Sequence, residues 1–148
     1  MEAIKVRLSP SKRLTHDVNR MMWFSKHGMR VAAKMASNRI FYRYGCCISP
    51  NAKIASDVVF PHPTGIVIGE GVSVGSGCAI YQNVTIGSKN SGYPQIGPSC
   101  RLFAGSIVLG DIRLASGVTV GANSLVMRDC VVPGAVLVGS PAKILDAS

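Results

Sequence analysis

The sequence predicts an all-β solenoid, a parallel β-helix of about five coils behind an N-terminal α-helical segment. Three observations carry that expectation. A large aliphatic or aromatic residue recurs at every sixth position through the last hundred residues. A small or β-branched residue follows it four places later in most steps. The composition is glycine-rich and aromatic-poor, with 16 Gly but only 6% Phe, Trp and Tyr among 148 residues. Such a chain is apolar enough to offset its ordering entropy, which argues against disorder, and long enough for one compact domain.

Residues 1–45 carry no repeat. Ser9-Pro10-Ser11 reads as a helix start, since proline is tolerated in a first turn. Leu14, Val18, Met21, Met22, Met29, Ala32, Ala33 and Met35 follow at three- and four-residue steps, giving one or two helices that reach about Tyr42. Arg13, Arg20, Lys26, Arg30 and Lys34 fall on the opposite face. Residues 1–43 hold ten Lys or Arg against Glu2 and Asp17, a net +8, whereas residues 44–148 hold six against five, a net +1. A basic head of this kind is either a solvated helix face or a patch for an anionic surface. No nucleic-acid-binding motif accompanies it, so nucleic acid is not an expected partner, and peripheral contact with a membrane surface is the minority reading. Met21-Met22-Trp23-Phe24 is expected to pack on the coil end or on a partner subunit.

The coils follow in residues 46–148. The series runs Ile48, Ile54, Phe60, then after a two-residue slip Ile68, Val74, Ile80 and Ile86, and after a four-residue slip Ile96, Leu102, Val108, Leu114, Val120, Val126, Val132, Val138 and Ile144. Helices need apolar steps of three and four, and flat strands need alternation. A step of six fits one short straight side plus a corner. Three sides close an 18-residue triangular coil, and successive coils stack about 4.8 Å apart through backbone hydrogen bonds. The expected coils are roughly 48–66, 68–85, 86–107, 108–125 and 126–144. Cys78, Cys100 and Cys130 occupy the small inward position and are expected in the core, while Cys46 and Cys47 are expected to be more accessible. Five cysteines without metal-ligand spacing, no apolar run of about 18 residues and no signal-peptide core predict a reduced, cytoplasmic protein.

Chemistry is expected where the repeat breaks. The first slip is Phe60-Pro61-His62-Pro63-Thr64-Gly65, with the coils' single histidine between two stiffening prolines. A neutral imidazole there suits a general base for an alcohol or amine nucleophile. The second slip, Gly87-Ser88-Lys89-Asn90-Ser91-Gly92-Tyr93-Pro94-Gln95, is polar and projects as a loop. His62 falls at the corner between the third and first sides, and the loop leaves the corner between the first and second. Two corners of one prism lie on the order of 15–20 Å apart, so the two features are expected to meet between neighbouring copies around a threefold axis. One coil histidine cannot supply a zinc site, so no metal is expected.

The hexapeptide series resembles the serine acetyltransferase branch of the hexapeptide acyltransferases. The segments carrying the resemblance are His62-Pro63-Thr64-Gly65-Ile66-Val67-Ile68-Gly69, Val84-Thr85-Ile86-Gly87 and Gly139-Ser140-Pro141-Ala142-Lys143-Ile144, over about residues 40–145. The resemblance implies a left-handed parallel β-helix, a homotrimer with active sites between subunits, and acetyl transfer from acetyl-CoA. It implies that His62 deprotonates the acceptor hydroxyl and that Gly87, Ser88, Ala104 and Ala122 line the CoA groove. Lys143 is either a point-charge partner for the CoA phosphates or a solvated lysine.

The departures bear on the acceptor. The family's histidine-orienting aspartate falls at Cys47, the aspartate before the catalytic histidine is Pro61, and the acceptor-contacting Arg-His pair reads Gly92-Tyr93. The paired charges that serine's carboxylate and ammonium require are missing at these positions. The short chain and basic head also resemble O-acetyltransferases of surface-polysaccharide pathways, so the expected acceptor is a sugar or polysaccharide-precursor hydroxyl. Tyr93 and Asn83 are the candidate acceptor-binding residues, Tyr93 by stacking or hydrogen bonding if it does not simply pack the loop. Serine or small-molecule acetylation is the enzymatic alternative, and a non-catalytic assembly or binding module is the alternative of another class.

Overall fold

The computed structural model describes residues 9–145, so Glu2, Lys5 and Arg7 of the basic head and Asp146 lie outside the described residues. The chain opens with two helices, α1 (Pro10–Lys26) and α2 (Arg30–Tyr44). Pro10 stands in the first turn of α1, where its missing N–H costs nothing. Ser9 precedes it in extended conformation, with no side-chain cap hydrogen bond. Gly45, left-handed at φ 64°, ends α2 by donating its N–H to Phe41 O at 2.9 Å.

This hairpin closes one end of the prism. Leu14, Val18, Met21, Ala33 and Ile40 are buried, and all but Ala33 join the core of the coils. Thr15 Oγ1 donates to Val58 O (3.3 Å), Asn19 Nδ2 to Ser56 O (2.8 Å) and Ser37 Oγ to Ile48 O (2.9 Å). All three acceptors belong to the first coil, which has no coil before it to cover its core. Met21 and Met22 pack inward as expected, while Trp23 stands exposed.

Residues 46–145 form a parallel β-solenoid of about five turns. The first side stacks β1 (Cys47–Ile48), β3 (Val67–Ile68), β6 (Thr85–Gly87), β9 (Ile107–Leu109) and β12 (Leu125–Val126). The second stacks β2 (Lys53–Ile54), β4 (Ser73–Val74), β7 (Gln95–Ile96) and β10 (Arg113–Leu114). The third stacks β5 (Ala79–Ile80), β8 (Arg101–Leu102), β11 (Thr119–Val120) and β13 (Val136–Gly139), with β14 (Ala142–Ile144) at its edge. Pairing is in register along each side, so Ile48, Ile68, Ile86, Val108 and Val126 form one inward column. Strands this short hold few hydrogen bonds. The columns carry the stability, at about 1.5–3 kcal/mol for each buried aliphatic side chain.

The sixfold register holds through Val126 and then fails. Val132 and Ile144 are exposed and Val138 is only half-buried. Cys130 takes the inward place opposite Leu114, four residues after Val126, and Leu137 pairs with Val120 seven residues later. Pro133, which cannot donate to a ladder, and left-handed Gly134 (φ 72°) shift the corner. Beyond Gly139 the chain reverses, and β14 pairs antiparallel with β13 instead of completing the fifth coil as expected.

Cys78, Cys100 and Cys130 are core residues, as their spacing requires. The expectation for the adjacent pair holds for Cys47, which is exposed, and fails for Cys46, which is buried.

Candidate active site

His62 stands in the insertion 61–65, where the chain leaves the third side of coil one and enters the first side of coil two. Phe60 and Ile66, both buried, anchor the two ends. Pro61 and Pro63 fix the backbone on either side of the histidine. Thr64 donates its N–H to His62 O (2.9 Å) and its hydroxyl to Tyr44 O (3.4 Å), tying the insertion to the end of α2. Asn83 N–H donates to Thr64 O at 2.9 Å, binding the insertion to the next coil. Gly65 is left-handed at φ 63°, and a Cβ there would collide with the Asn83 side-chain amide.

The imidazole of His62 is exposed. Among the described residues no side chain or backbone group hydrogen-bonds either ring nitrogen. Its ring neighbour is Tyr81, with centroids 6.0 Å apart and planes at 52°, and Tyr81 stacks on Phe103 at 4.9 Å and 26°. Three aromatic rings therefore run along one edge across three coils. Sequence reasoning missed Tyr81 and Phe103, although the register held the signal. Each directly follows an inward aliphatic of the third side, Ile80 and Leu102, and so must fall on the same edge as His62. Gln82 Oε1, beside Tyr81, is buried with no hydrogen-bond partner.

The same edge collects three more of the expected residues. Asn83, at φ 57°, lies directly over the insertion. Ala104 accepts a hydrogen bond from Asn123 N–H (3.0 Å), and Gln82 O accepts one from Gly105 N–H (3.0 Å), so the corner ascends through residues 64, 82, 104 and 122. Cys47 lies on the outer face of β1, with its N–H donated to Ile66 O at 2.8 Å. It brings no carboxylate to the histidine.

The remaining expected residues lie elsewhere. Gly87 ends β6, and Ser88 begins the second loop at the corner between the first and second sides. That loop is a miniature hairpin. Lys89 and Gly92 exchange backbone hydrogen bonds of 3.1 Å around Asn90-Ser91, whose φ values of 52° and 63° suit a type I′ turn. Tyr93 then folds down onto Gly71 and donates its hydroxyl to Glu70 Oε1 at 2.9 Å. The hydrogen bond to Glu70 raises the Tyr93 phenol above its ordinary pKa. Tyr93 is thus fixed on its own corner and does not meet His62 within the chain, in keeping with the expectation that the two corners lie apart in one copy. Lys143 is exposed on β14, paired in register with Val138. Two hollows lie away from the histidine. One of about 730 Å³ runs between the end of α1 and the second side, lined by Met22, Lys26, Ile54 and Ile96, and one of about 340 Å³ lies between the helices.

No family model matches the chain. A serine acetyltransferase of Staphylococcus epidermidis is 38% identical to it over 125 residues, 81% of this chain and 58% of that protein. The crystal structure of Neisseria gonorrhoeae serine acetyltransferase matches with a TM-score of 0.85 and 28% identity, covering 92% of this chain and 54% of that one. A serine acetyltransferase solved in complex with CoA matches with a TM-score of 0.84 and 28% identity, over 90% of this chain and 56% of that one. The chain spans little more than half the length of these proteins. The likeness backs the serine branch and lends nothing to the surface-polysaccharide branch.

Proposed function

From its likeness to the serine acetyltransferases over more than four-fifths of its length, we propose that this chain is an acetyl-CoA-dependent O-acetyltransferase with His62 as general base and the serine hydroxyl as acceptor. The observation that carries the proposal is the exposed, unbonded imidazole in the rigid insertion that breaks the repeat. His62 takes the proton of the acceptor hydroxyl as that oxygen attacks the thioester carbonyl. The tetrahedral intermediate then collapses, the C–S bond breaks, and the imidazolium returns its proton to the CoA thiolate. A base so placed is worth about 10²–10⁴ in rate.

Coenzyme A is held in this reading by backbone, its pantetheine arm lying extended against a solenoid edge. Ala104 and Ala122 line the edge of His62, whereas Gly87 and Ser88 lie on the next edge. Two neighbouring copies in a homotrimer would bring those edges face to face, and the site is shared between them. Lys143 would meet the CoA phosphates as a point charge. Serine needs counter-charges, and the corner of the second loop offers two. Glu70 is one, and Lys89, whose ammonium rests 3.9 Å from Met127 Sδ, is the other.

A second reading keeps the reaction and changes the acceptor. Cys47, Pro61 and Gly92-Tyr93 stand where the resemblance implies charged groups, and Tyr93 already occupies Glu70. That favours an uncharged hydroxyl, such as a sugar's. Thiol release from acetyl-CoA, measured with serine and with a panel of monosaccharides and nucleotide sugars, separates the readings. Serine-dependent release is the expected result, and release with a sugar but not with serine moves the assignment to the second. Absence of release with any acceptor, together with no CoA binding by calorimetry, would overturn the enzyme and leave an assembly module.

A further inference from the structure

We propose that the outward face of the α1–α2 hairpin docks on an anionic lipid bilayer, a contact that does not depend on the acetyl-transfer reading. Val31, Met35 and Tyr42 recur at i, i+4 and i+11 and so fall on one face of α2, turned away from buried Ala33 and Ile40. They are 76%, 67% and 85% exposed. Nothing among the described residues covers this apolar stripe. Met35 also lines the hollow between the helices, with Phe24, Ala32 and Ala36 as its apolar floor and Arg20 and Arg39 on its rim. Trp23, the chain's one tryptophan, is 52% exposed on the side of α1 opposite Leu14, Val18 and Met21.

Charge selects the partner. The two helices carry Lys12, Arg13, Arg20, Lys26, Arg30, Lys34, Arg39 and Arg43 against the single carboxylate of Asp17. That carboxylate is already engaged, accepting the Tyr44 hydroxyl at 2.8 Å and lying 3.8 Å from Arg43. Lys34 and Arg39 are exposed and flank the apolar stripe on α2, and Lys26 and Arg30 are exposed near the turn between the helices. A second copy of the chain docked face to face would oppose cations to cations. Nucleic acid would satisfy the cations and leave Val31, Met35 and Tyr42 in water. An anionic leaflet satisfies both, with apolar and aromatic groups entering the interface and cations meeting headgroup phosphates. No helix among the described residues is long and apolar enough to cross a membrane, so this contact is peripheral. Each cation near such a surface strengthens binding about fivefold.

The test is sedimentation of the full chain with vesicles of phosphatidylcholine alone or with about one-third phosphatidylglycerol, alongside Trp23 fluorescence. Binding to the anionic vesicles only is expected, with a blue shift of Trp23 emission and loss of binding in high salt. K34E/R39E should weaken binding at least tenfold and V31S/Y42S several-fold, both leaving acetyl transfer at its basal rate. No binding to anionic vesicles, or equal binding to neutral ones, overturns the proposal. So does a concentration-dependent dimer that V31S/Y42S dissociates, or binding to single-stranded nucleic acid in place of vesicles. Because the readouts are sedimentation and emission, failure of the catalytic reading would leave this result intact.

Discussion

Cys46 and Cys47 are neighbours in sequence and opposites in environment, because strand alternation turns one side chain into the prism and the other out of it. Burial pushes the Cys46 thiol above its usual pKa. The Cys100 thiol is pushed up by its hydrogen bond with Cys78 and by burial, while that same bond lowers Cys78. Accessibility decides reactivity here, since neither Cys78 nor Cys100 exposes any surface. A disulfide reagent added to native protein should therefore modify one thiol per chain quickly, at Cys47, and the other four only on unfolding. Two or more fast thiols would contradict the packing. His62 was legible as a residue because two prolines and a register slip single it out without any contact being known. Tyr93 was not, because its partners Glu70 and Gly71 lie one coil away, and only folding of the loop decides between a stacking platform and a packed strut.

Elements of two or three residues owe their register to columns of side chains, and the corners must then take whatever conformation closes the turn. Gly65 and Gly28 both require left-handed backbone, at φ 63° and 71°, but only Gly65 faces an obstacle, the Asn83 amide, whereas Gly28 faces open space. Gly28→Ala should cost about 1 kcal/mol, the backbone penalty alone. Gly65→Ala should cost about 2–3 kcal/mol, since a steric conflict is added to it. Urea unfolding midpoints measure the difference, and equal losses would mean that Asn83 does not brace the insertion. The sequence revealed these elements as far as Val126, where inward residues stay six apart. It hid the ending, because Val132, Val138 and Ile144 keep the hydrophobic pattern after Cys130 and Pro133 have changed which residues face inward.

At the scale of the molecule, helices close one end of a stacked prism, a reversed strand lies at the other, and broken corners mark two of its edges. That division explains why the hexapeptide rule found the scaffold while the aromatic edge of His62, Tyr81 and Phe103 emerged only once the coils were stacked. It also separates two faces, one edge holding the imidazole and one end holding the basic hairpin. In the proposed reaction the imidazole on that edge performs the proton transfer. The most direct measurement is the turnover of acetyl-CoA by His62→Ala beside the parent chain, with CoA affinity followed by calorimetry. A fall in kcat of about 10²–10⁴-fold with CoA binding unchanged is expected. Turnover near the parent rate would contradict it.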